Sequence, residues 1–193
     1  MRSPVGHLLA DLAAALADEG AAWYLFGAQA AIQHGVARLT ADVDVTARLA
    51  SGTSAEQLAR GLERHGFSRR FAGADFMART RVAPFVHGAT SLPVDIVIAG
   101  PGLEDQFLAR AATVDIEGTR VPVATAEDIV VMKVLAARPK DLEDVVAILT
   151  SVADFDTAYA RATLQLLEGA LGQSDLVPVF DDARLRASRR PTV

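Results

Sequence analysis

The chain has 193 residues, 51% of them hydrophobic, a net charge of −5 and no cysteine. The absence of cysteine excludes disulfides and thiolate metal sites, and the negative charge argues against broad, nonspecific DNA binding. With a mean hydropathy of +0.24, the chain can bury a sizeable core, as one medium domain or a small α/β core with a helical appendage.

Ser3-Pro4 can cap and start a first helix, with Leu8, Leu9, Leu12 and Leu16 as its apolar stripe and Gly20 as its stop. Asp11, Asp18 and Glu19 break any signal-peptide pattern, and no apolar run reaches membrane-spanning length. The expectation is a cytoplasmic protein with no membrane partner. Ala22 to Phe26 reads as the first strand, Ala28 to His34 as a small-residue helix stopped by Gly35, and Val43 to Leu49 as the second strand. Ser54 with Gln57 fits a capping box for a helix running through Leu58 and Leu62 to His65-Gly66.

Phe67 to Phe71 and Phe76 to Val86 read as strands with Gly73 in the turn between them. Leu92 to Ala99 is a further strand, with Val94, Ile96 and Ile98 on one face and Asp95 opposite. Leu103 to Arg110 reads as a short helix, and Thr113 to Val123 as a hairpin around Gly118. Thr125 with Asp128 opens a helix whose apolar positions are Ile129, Val130, Val134 and Leu135. Pro139 starts the next helix, Lys140 to Leu149, and two more follow, about Asp156 to Leu171 and Ser174 to Arg186. The organisation expected is an α/β core over 1–124 and a helical extension over 125–193, packed as one compact unit.

The chemistry concentrates in Tyr24 to Thr46, YLFGAQAAIQHGVARLTADVDVT. In an extended DVDV segment, Asp42 and Asp44 project to one side, roughly 7 Å apart at Cα. Two convergent carboxylates are costly to bury without a cation between them, and a hard divalent metal such as Mg²⁺ suits them. Gly27 ends a strand and opens a helix, where free backbone N–H groups and the helix dipole favour a phosphate. Each feature alone has a plainer explanation: a D-x-D pair on a solvated strand face, or a weak surface pair between Arg38 and Asp42. Their order and spacing together favour a site for a nucleoside triphosphate.

Lys133 to Asp144, KVLAARPKDLED, is the second constellation. Asp141 and Glu143 in a helix's first turn favour its dipole, and Lys140 with Asp144 makes a weak i,i+4 pair. Lys133 sits among Val130, Val131, Met132, Val134 and Leu135, so its stem packs while its ammonium needs water, an acid or a phosphate. No Walker sequence is present, which excludes a P-loop protein.

The stretch GAQAAIQHGVARLTADVDV resembles the signature of the nucleotidyltransferase superfamily, in which a Gly-Gly or Gly-Ser turn precedes a D-x-D pair. His34-Gly35, Arg38 and Thr40 are similar to the AbiEii-like abortive-infection toxin branch, as is the Lys133–Asp144 pattern. Ala28 departs from the pattern: it keeps a backbone N–H but lacks the hydroxyl that a serine there would offer. The resemblance implies a small mixed β-sheet flanked by helices, with a C-terminal helical extension. It implies that Asp42, Asp44 and Asp95 are catalytic and hold Mg²⁺ (or Mn²⁺). Gly27, Ala28, Arg38, Thr40, Lys133, Lys140 and Asp141 would bind the nucleotide. The implied reaction transfers a nucleoside monophosphate from a nucleoside triphosphate to a tRNA, protein or small-molecule acceptor, with a cognate antitoxin as a further partner. The alternative is a catalytically inactive nucleotide- or partner-binding protein of the same fold.

Overall fold

The computed structural model describes residues 2–71 and 74–189. Ser3 caps α1 (Pro4–Asp18) by accepting the Gly6 N–H at 3.1 Å, and the leucine stripe of that helix is fully buried. β1 (Ala22–Phe26) leads directly into α2 (Gly27–Gln33), and β2 (Val43–Arg48) follows after a loop. Next come α3 (Ala55–Arg64), β3 (Phe67–Arg69), α4 (Ala74–Thr80), β4 (Val82–His87), β5 (Pro93–Ile98) and α5 (Leu103–Arg110). The hairpin β6 (Ala112–Ile116) and β7 (Thr119–Val123) precedes α6 (Ala126–Ala136), α7 (Pro139–Ser151), α8 (Thr157–Leu171) and α9 (Leu176–Ser188).

The chain forms two compact units, one of Met1–Gln29 with Leu39–Ala124 and one of Ala30–Arg38 with Thr125–Val193. The first holds a seven-stranded mixed sheet in the order β3-β4-β5-β2-β1-β7-β6 among the described residues. β2 runs antiparallel to β1 and parallel to β5, so the strand that carries Asp44 is flanked on both edges. Val43, Val45, Val94 and Ile96 are completely buried, which gives the sheet one dry face. In the second unit α6 packs on α7 and α8, and α9 closes against α7 and α8. This is the mixed, helix-flanked sheet with a helical C-terminal part that the sequence implies.

Three local expectations are corrected. Residues 76–80 belong to α4 and are not the start of a strand. The run Phe76-Met77-Ala78 is apolar, but Met77, Ala78 and the Arg79 that follows are good helix formers. The helix ends where Thr80 Oγ1 donates to the Phe76 carbonyl at 2.7 Å and Arg81 takes a left-handed φ of 58°. β3 stops at Arg69, short of the expected Phe71, and the turn glycine Gly73 lies outside the described residues. In α6, Leu135 is 40% exposed, and Val131 takes the buried place expected for it. Among the described residues, no helix is long and apolar enough to cross a membrane.

Candidate active site

One register row crosses the sheet through the acids. Phe26 of β1 pairs with Asp44 of β2, Asp44 with Asp95 of β5, and Asp95 with Pro84 of β4. Registered neighbours share a face, so Asp44 and Asp95 project together on the side opposite the buried valines and Ile96. Both are half-buried there.

Gly27 makes room for the first of them. Its φ is +68°, a conformation disfavoured for any residue with a Cβ. A Cβ built on it would overlap the Asp44 carboxylate. The glycine therefore serves the acid directly, by close approach. Ala28 follows it in the first turn of α2, half-buried.

Asp42 lies one residue before β2, exposed, and its N–H donates to Thr40 Oγ1 at 3.3 Å. The Thr40 carbonyl in turn accepts from Gln29 Nε2 at 3.0 Å, and Gln29 is only 7% exposed. A buried amide thus fixes the turn that delivers Asp42 to the strand. Gln29 carries no signal in the sequence, because its partner is a backbone carbonyl.

Arg70 is the other unanticipated residue. Its N–H continues the β3–β4 ladder by donating to the Pro84 carbonyl at 2.9 Å, which extends the register row by one position. Its guanidinium binds the Asp95 carboxylate. Alternation sends neighbouring Arg69 the other way, where it donates to Glu56 and Glu63 of α3. Asp42, Asp44 and Asp95 are all hard oxygen donors of the kind Mg²⁺ takes. As they stand, no three His, Asp or Glu side chains among the described residues form a group that could hold a metal. The structure brings Asp44 and Asp95 into register and turns Asp95 to Arg70.

The second unit gathers Lys133, Asp141 and Arg38 into a separate network. Lys133 Nζ donates to Asp141 Oδ1 at 3.1 Å and to Asp144 Oδ2 at 2.7 Å, with all three residues at least 94% buried. Arg38 Nη1 donates to the same Asp144 Oδ2 at 2.7 Å, and Arg138 Nε donates to Asp141 Oδ2. Burial pushes the Asp141 carboxyl up, but the hydrogen bonds from Arg138 and Lys133 outweigh it and hold the group below its ordinary range. Asp144 therefore serves Lys133 and Arg38, where sequence spacing suggested Lys140, and Arg38 binds Asp144 where Asp42 was the simplest partner. Lys140 is exposed.

A family profile described as "Nucleotidyltransferase of unknown function (DUF6036)" matches residues 11–167. The chain belongs to this nucleotidyltransferase family. It is accordingly an enzyme of nucleotidyl transfer. No curated protein sequence matches it. Among solved structures, the chain is similar to the solution structure of the antibiotic-resistance factor ANT(2″)-Ia, with TM-score 0.61 and 18% identity over 86% of this chain and 94% of that one. A nucleotidyltransferase-like antigenic protein from Paracoccidioides brasiliensis gives TM-score 0.59 and 16% identity, covering 91% of each chain. The crystal structure of ANT(2″)-Ia in complex with adenylyl-2″-tobramycin gives TM-score 0.51 and 18% identity over 93% of this chain and 97% of that one. These likenesses show a shared fold.

Proposed function

We propose that this nucleotidyltransferase uses the sheet face bearing Asp44 and Asp95 to transfer a nucleoside monophosphate from a metal-bound nucleoside triphosphate to an acceptor hydroxyl. The observation that carries the proposal is the direct opposition of Asp44 and Asp95 on parallel strands, with Gly27 shaped to admit the Asp44 carboxylate. Asp42, Asp44 and Asp95 would hold Mg²⁺ (or Mn²⁺), which when bound offsets the triphosphate's charge and polarises its phosphoryl oxygens. The backbone N–H groups at Gly27 and Ala28 are offered to the distal phosphates. In the reaction the acceptor oxygen bonds to the α-phosphorus, the bond from that phosphorus to pyrophosphate breaks, and the hydroxyl proton passes to Asp95. Fixed charges of this kind act by positioning and electrostatic stabilisation.

Lys133 and Arg38 are committed to Asp141 and Asp144 within their own unit, so the proposal places the reacting groups on the sheet. The resemblance of His34-Gly35, Arg38 and Thr40 to the AbiEii-like branch extends the proposal to a toxin setting with a cognate antitoxin, and to a tRNA, protein or small-molecule acceptor. The adenylyl-tobramycin held by ANT(2″)-Ia is a precedent for the last.

The test is incubation of purified protein with Mg²⁺, cell lysate and each α-labelled triphosphate, comparing wild type with Asp44→Asn. Label transfer and pyrophosphate release by wild type alone support the proposal. Equal labelling by both proteins, or no pyrophosphate from any triphosphate, refutes it.

A further inference from the structure

We infer that Arg70 is a positioning residue that competes with the metal for Asp95 and moves to the triphosphate when the site is loaded. This rests on the functional reading just given, and it assigns that site a means of coupling cation uptake to substrate arrival.

Three observations support it. First, Arg70 continues the register row Pro84–Asp95–Asp44 by its own backbone hydrogen bond, so its side chain shares their face. Second, its guanidinium is bonded to Asp95, the carboxylate that faces Asp44, and so offsets one of two like charges directly opposed across a ladder. Third, the pair is partly open to solvent, with the side chains 34% and 41% exposed. An exposed ion pair is weak and easily exchanged. A buried pair such as Lys133–Asp144, at 7% and 8%, would resist exchange.

The consequence follows from charge. A bare divalent cation must compete with Arg70 for Asp95 and leaves the guanidinium without an anion. A cation arriving with a triphosphate brings that anion with it. Asp95 then exchanges Arg70 for the cation, and Arg70 exchanges Asp95 for a phosphate oxygen, a charge-assisted contact suited to its planar fork. The two exchanges support each other, so the binding of each ligand strengthens that of the other.

The experiment measures two affinities in wild type, Arg70→Gln and Arg70→Lys. One is for Mn²⁺ alone, by the loss of free-ion electron paramagnetic resonance. The other is for a non-hydrolysable triphosphate at saturating Mn²⁺, by calorimetry. Arg70→Gln is expected to bind Mn²⁺ alone more tightly, by up to about fivefold, which is the worth of an exposed pair, and to bind the triphosphate more weakly. Arg70→Lys stays near wild type in the first measurement. Adding Asp95→Asn removes the Mn²⁺ gain of Arg70→Gln. A purely structural Arg70 would move both affinities in one direction. Shifts of the same sign, no shift, or a gain that survives Asp95→Asn overturn the inference while leaving the functional reading intact. Failure of wild type to bind the triphosphate at all overturns both.

Discussion

Asp44 of β2 stands directly opposite Asp95 of β5 across a parallel ladder, and each shares that row with an apolar neighbour on its other side, Phe26 and Pro84. Like charges so placed destabilise a sheet by up to about 1 kcal/mol. Asp44→Asn should therefore leave the ligand-free protein as stable as wild type or slightly more so. Mg²⁺ with a triphosphate should raise the melting temperature of wild type by mass action and leave that of Asp44→Asn nearly unmoved. Thermal scans with and without ligand check both statements. Marked destabilisation of the ligand-free variant would assign Asp44 to the scaffold instead.

Gly27→Ala tests how the acid is accommodated. The left-handed backbone at φ +68° costs a non-glycine residue about 1–2 kcal/mol. The new methyl also meets the Asp44 carboxylate. Urea denaturation should show a loss of about that size, and the triphosphate-induced thermal shift should disappear with it. A variant that is destabilised yet keeps the full ligand shift would show that Asp44 does not depend on the space Gly27 leaves.

Local chemistry was legible in the sequence wherever a motif closes within a few residues. Ser54 and Gln57 form both bonds of the capping box, at 3.2 and 2.7 Å. Thr125 accepts the Asp128 N–H as its spacing suggests. The alternation in β5 buries Val94 and Ile96 and sets Asp95 on the other face. Partnerships that depend on strand order were not legible. Arg70 reaches Asp95 only because β4 lies between β3 and β5, so the two meet through sheet topology across 25 positions. Lys133 is an intermediate case. Its apolar surroundings announced a buried ammonium in need of a partner, but the partner is fixed by the α6–α7 turn. There Ala137 adopts a left-handed φ of 51° and α7 returns Asp141 and Asp144 to the lysine.

That network makes Lys133 structural whatever else it does. Lys133→Met would take one cation from each of two buried carboxylates while leaving Arg138 on Asp141 and Arg38 on Asp144. The loss should be clear but below the roughly 3–5 kcal/mol typical of a buried charge left with no partner. Exposed Lys140→Met should stay within about 0.5 kcal/mol of wild type. Urea denaturation of the two variants checks the contrast. Equal midpoints would mean that the Lys133 ammonium is not needed by the fold and is free to serve a ligand.

The last prediction is an acid limb of stability centred on Asp141. Its folded carboxyl is held below the ordinary value of 3.8, because hydrogen bonds from Arg138 and Lys133 outweigh the upward push of burial. A depressed folded value means that the unfolded chain binds the proton first. The contribution is therefore complete above about pH 4 and is lost as pH falls below 3.8 through the folded value. Asp141→Asn removes this linkage, so its stability should be lower than that of wild type at neutral pH and should change less between about pH 4 and pH 2. Arg138→Gln removes one of the two hydrogen-bonding cations and leaves the burial, so its folded value lies closer to 3.8 and its acid limb should be smaller and end at higher pH than that of wild type. Urea midpoints measured across this range for the three proteins decide the matter. Parallel curves for wild type and Asp141→Asn would show that the carboxylate gains nothing from folding and that the network is neutral at this position.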